Sequence, residues 1–197
     1  MLYDAALVTQ SEVATQLAWD LHDVLTGKIG VGVSGNLDAS YLAARFVRQW
    51  TTLCPAELAF EEALPALVSV AEDVIPWVDR ETAVRLWATI AASPCAKKLD
   101  ASQRRWIDLF EASARRDAGG MARYGLQILD SVRGKRNSTS EYAFFAAVHG
   151  VALQGDLPLA LGLLEKSGEL WVRVDGPRVT QLRFMAATIR AAVPRSP

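Results

Sequence analysis

Residues 152–160 read Ala152-Leu153-Gln154-Gly155-Asp156-Leu157-Pro158-Leu159-Ala160. The stretch holds the end of one helix, a tight turn and the start of another. Gly155 supplies the backbone freedom a helix needs to stop. Asp156 completes the Gly-Asp turn, after which a second helix begins. Upstream, Phe144 and Ala147 stand at helical spacing; downstream, Ala160 and Leu164 do the same. The segment therefore predicts a helical hairpin, 140–154 with 157–171, in which the small side chain of Ala160 lets the two helices approach.

Working outward, a similar pattern stands 38 residues earlier. Trp106 matches Phe144, Leu109 matches Ala147, Asp117 matches Gly155, Ala122 matches Ala160 and Leu126 matches Leu164. This predicts a second hairpin, 101–116 with 118–132, joined to the first by the polar connector 133–139. One hairpin has a face that it cannot bury alone. Stacking hairpins buries those faces in turn, so repetition points to an α-helical array.

Phe144, Gly155-Asp156 and Ala160 occupy the places of the bulky residue, the turn and the small crossing residue in a tetratricopeptide repeat. The chain resembles that family over residues 140–172 and, more loosely, over the unit around Trp106, Asp117 and Ala122. Segment 55–92 suggests a third unit. The resemblance implies a short α-solenoid of antiparallel hairpins whose grooved surface grips a peptide or another protein.

The rest of the chain is also read as mainly helical. Helices are expected at 11–26, 37–52, 55–72 and 80–92, with a break at 73–79 around Pro76, and the last at about 177–192. That last helix would cap the array, turning Val179, Leu182, Met185 and Ile189 inward and Arg178, Arg183 and Arg190 outward. The whole is taken as one helical domain, 1–197, of about nine helices. It has an acidic half, 1–100, and a repeat half with its cap, 101–192.

Composition fits a globular protein, with 51% hydrophobic and 22% charged residues. The net charge of −1 conceals 7 basic and 13 acidic side chains in 1–100 against 14 and 9 in 101–197. Most such charge is surface solvation. The basic pairs Arg104-Arg105 and Arg115-Arg116, with the run from Arg133 to Arg136, come with no nucleic-acid module, and the pI of about 6.1 speaks against one. No apolar run is long enough to span a membrane, and no export signal opens the chain, so a cytoplasmic protein is expected. Cys54 and Cys95 match no metal motif and are expected as reduced, partly buried thiols, pairing only if the fold brings them together in an oxidising compartment.

The rival reading rests on the glycine-rich loop 27–36. Gly30, Gly32 and Gly35 fit a dinucleotide fingerprint, but no alternating strands and helices frame them. Val31 to Ser40 resembles the pyrophosphate loop of the ATP-pyrophosphatase family, with Ser34, Gly35 and Asp38 matching. Asn36 stands in place of its second glycine and Ala39 in place of a hydroxyl. That resemblance implies a nucleotide-dependent enzyme, or a degenerate relative, built on 28–40. The competing account is a connector in which Ser34 or Asn36 caps helix 37–52.

Other candidate chemistry is sparse. His22 and His149 have no metal-pair spacing, and His149 is expected as a packed or rim residue of a repeat helix. Adjacent acids Glu61-Glu62 and Glu72-Asp73 diverge around their helices. Trp171, near a helix end, is expected to be open to a partner. The sequence therefore favours a non-catalytic adaptor or accessory subunit that binds another protein or peptide, with no catalytic residue, cofactor or metal assigned.

Overall fold

The structure is a computed structural model that describes residues 60–69, 71, 79–132, 137–172 and 178–193. The predicted helices 11–26 and 37–52, the loop 27–36 and all of the break at 73–79 except Asp79 lie outside these residues. The described part is all-helical: α1 (Phe60–Ser69), α2 (Arg80–Ala92), a 3-10 turn (Ala96–Lys98), α3 (Ala101–Arg115), α4 (Ala118–Ser131), α5 (Ser138–Leu153), α6 (Leu157–Trp171) and α7 (Arg178–Ala192). No strand occurs among the described residues. The chain divides into two compact units, Met1–Arg115 and Arg116–Pro197. The expected hairpin of 101–116 with 118–132 straddles that division.

In the first unit, α2 packs on α3. Trp87 stacks on Phe110 with ring centroids 4.6 Å apart, and Trp106 lies 6.1 Å from the same ring. Burying aromatic rings together provides both area and a small additional ring–ring attraction. Arg80 at the start of α2 donates to the carbonyl of Arg115 at the end of α3, so the two helices run antiparallel. Each helix start is capped from its own sequence. The Asp79 carboxylate accepts from the Thr82 amide at 2.9 Å. Asp100 accepts from the amides of Ser102 and Gln103, and the Gln103 side chain accepts from the Asp100 amide. That reciprocal arrangement satisfies orphan donors at the first turn of α3.

Cys95 is buried and disulfide-bonded. This replaces the reduced thiol expected from sequence, because spacing along the chain says nothing of which sulfurs meet in space. The other cysteine, Cys54, lies outside the described residues.

The second unit is built around α5. Residues Thr139 to Glu141, Ala143 to Val148, Gly150 and Val151 are all buried. A helix apolar on every side belongs in the interior. Two phenylalanines, Phe144 and Phe145, meet edge to face at 5.7 Å. Asn137 and Ser140 form a capping box that closes the α5 start.

The α4 helix packs most extensively on α5. The reason is the absence of side chains at two points. A Cβ added to Gly150 would stand 2.5 Å from the Ala122 amide nitrogen and 2.7 Å from the Ala118 carbonyl oxygen. One added to Gly125 would stand 2.8 Å from both the Ala143 carbonyl oxygen and the Ala147 Cβ. Ala118, Ala122 and Gly125 thus face Ala143, Ala147 and Gly150 in reverse order, an antiparallel crossing through stripes of small residues. The sequence places Ala122 at a crossing within the hairpin 101–116 with 118–132; the close neighbour seen is Gly150 of α5.

The turn between α5 and α6 follows the sequence reading. Gly155 has φ of 87°, the left-handed region that suits glycine. Asp156 accepts from the Leu159 amide at 3.0 Å, and Pro158 sits in the first turn of α6. Ala160 is fully buried. Asp117 caps α4 in the same way, accepting from the Gly120 amide at 3.1 Å.

The 38-residue alignment averages two slightly different spacings. Ala101 and Ser138 start α3 and α5, which is 138 − 101 = 37 residues, whereas Ala118 and Leu157 start α4 and α6, which is 157 − 118 = 39. One residue of slip turns a helix by about 100°. Leu126 is accordingly 39% exposed while its aligned partner Leu164 is 3% exposed.

The last helix, α7, packs antiparallel on α6. Leu182 lies against Gly168, and Glu165 accepts from Arg190 at 3.1 Å. At its start, Arg178 reaches the buried carboxylate of Glu141 at 3.6 Å and lies 5.9 Å from the Phe145 ring centre. This corrects the outward place expected for Arg178: the acid buried on α5 draws it inward. Only Leu182 and Ile189 of α7 are buried.

Candidate functional site

The loop residues Ser34, Gly35 and Asp38, and with them His22, lie outside the described residues. Among the described residues, no group of three or more His, Cys, Asp or Glu side chains could hold a metal ion. His149 stands exposed on the rim of α5, and Trp171 is half-buried. The Glu72-Asp73 pair is outside the described residues; Glu61 and Glu62 lie on α1.

The arginines singled out by sequence are partly engaged. Arg104 pairs with Asp108 at 3.1 Å and Arg115 with Glu111 at 2.8 Å, one helical turn apart. Such exposed pairs contribute little stability, but they neutralise charge that would otherwise face a polyanion. Arg116 is exposed with φ of 53° where α3 ends. Arg133 to Arg136 lie outside the described residues.

Asp79 is the described acid whose carboxyl is held below its ordinary range. The hydroxyl of Thr82 donates to it at 2.6 Å, and the Thr82 amide adds a second bond. Both bonds favour the charged form. This is the chemistry of a helix cap, and no nucleophile or base stands with it.

Shallow depressions mark the described surface, two of them beside α2 and α7. One lies along α2 and the residues after it, lined by Arg85, Ala88, Thr89, Ala92, Ser93 and Pro94. The other, about 260 Å³, runs between α6 and α7 over Leu164, Val172, Leu182 and Ala186, with Arg183 and Arg190 at its edge. Neither brings together an acid, a base and a nucleophile.

What the second unit does offer is exposed apolar surface. Leu126, Leu153, Leu159 and Phe184 are all large and at least 39% exposed, and Phe184 stands at 72%. Around Phe184 on the outer side of α7, Thr180, Ala187, Thr188 and Ala191 are exposed and uncharged. Arg183 flanks this strip, and α7 contains no acidic residue. Sequence reasoning missed Phe184, although the signal was present. It lies about 200° around the helix from Leu182, at two steps of about 100° each, and so opposite the inward stripe.

Comparison with family models, with curated proteins and with solved structures finds no match to this chain.

Proposed function

We propose that the chain is a non-catalytic interaction module, an adaptor or accessory subunit that engages another protein or peptide through a helical surface. In this reading residues 101–192 form a short tetratricopeptide-like array. The observation that carries it is Phe184, a large apolar side chain left 72% exposed on an otherwise uncharged helix face. Covering a phenylalanine of that kind is favourable by about 1.5–3 kcal/mol, a useful anchor for association.

The test is capture of partners by the whole chain and by a Phe184→Asp variant with the same melting temperature. The reading expects a partner retained by the parent chain and lost by the variant. Retention of every partner by the variant would contradict it, as would saturable quenching of tryptophan fluorescence by ATP, the outcome expected of a nucleotide-dependent enzyme on 28–40. Disulfides are rare in cytosolic proteins. The bonded Cys95 is therefore a reason to seek the partner in an oxidising compartment as well as in the cytoplasm.

A further inference from the structure

We draw no further inference here: the strongest candidate, the uncharged outer face of α7 centred on Phe184, already belongs to the surface described above, and nothing in the structure shows what covers it.

Discussion

Helices α5 and α7 belong to the same compact unit and have nearly the same length, yet their surroundings are opposite. Buried residues occupy every side of α5, and only His149 and Leu153 are exposed among its described side chains. By contrast, α7 buries two residues and turns a phenylalanine outward. Each helix carries aromatic and aliphatic residues, so hydrophobicity alone does not separate them. The difference is what their neighbours permit. On α5, Gly150 and the alanines let α4 approach until backbone meets backbone. On α7, packing against α6 uses the stripe through Leu182 and Ile189, and the opposite side has no described helix against it. The lesson is that a small residue can organise a core more strictly than a large one, because it decides how close two backbones come.

Two phenylalanines 40 positions apart in sequence give the sharpest contrast. Phe144 on α5 is 1% exposed and Phe184 on α7 is 72% exposed. Phe144→Ala should cost about 3–5 kcal/mol of stability, read by chemical denaturation, because it removes a fully buried ring and leaves a cavity. A loss below 1 kcal/mol would break the contrast at its strong end. Ala160→Leu comes next. Ala160 is fully buried on α6, so the added methyl groups should overpack the unit and lower stability by about 1–3 kcal/mol. An unchanged melting curve would show that this position is not a tight contact.

A smaller effect is expected at the cap of α2, which lies in the other unit. The folded carboxyl of Asp79 has its pKa lowered from 3.8, first by the Thr82 hydroxyl and then by the Thr82 amide. A lowered folded value means that the contribution is present above the unfolded pKa and is lost as pH falls through the folded one. Titration of Asp79 by NMR should give a midpoint below that of a model peptide. In Asp79→Asn the acid-side weakening of α2 attributable to this group should vanish. A midpoint at or above the peptide value would contradict the cap. Smallest of all, Phe184→Ser should change stability by no more than about 0.5 kcal/mol, because an exposed side chain has little packing to lose. A loss comparable with that of Phe144→Ala would mean that α7 is covered within the folded chain.

Much of the second half was legible in the sequence, and the reasons are local. The turns at Asp117 and at Gly155-Asp156 follow from the residues themselves, a rule that needs only a few neighbours; that both aspartates also cap the next helix is shown by the fold. Hence the helix boundaries near 101, 118, 157 and 178 were readable to within a residue or two. The role of α5 was not. A helix buried on all sides has no apolar stripe, so periodicity does not say which helices surround it. The roles of Gly125 and Gly150 are not legible for a related reason: a glycine in a helix is a local weakness by propensity, and only the backbone opposite gives it a packing role. Arg178 was assigned to solvent by its charge, although the buried Glu141 holds it inward, and that pairing links positions 37 residues apart. Of the candidate site, Arg183 is legible only as an outward charge, and Phe184 is not legible, because the periodicity marks the inward stripe through Leu182 and Ile189. The Ser34, Gly35 and Asp38 reading falls outside the described residues and gains nothing from the fold.

The close backbone crossing of α4 and α5 is the central claim, and a pair of alanine substitutions tests it by sign. Gly162 on α6 has nothing within 4 Å of an added Cβ, so Gly162→Ala should gain about 0.5–1 kcal/mol from helix propensity. Gly150→Ala enjoys the same propensity gain but drives a methyl group to 2.5 Å from the Ala122 nitrogen. The account predicts that equilibrium denaturation will show Gly162→Ala more stable than the parent and Gly150→Ala less stable, by about 1–3 kcal/mol. If Gly150→Ala were instead stabilised as Gly162→Ala is, the two helices would not meet there and the arrangement of the second unit would be contradicted.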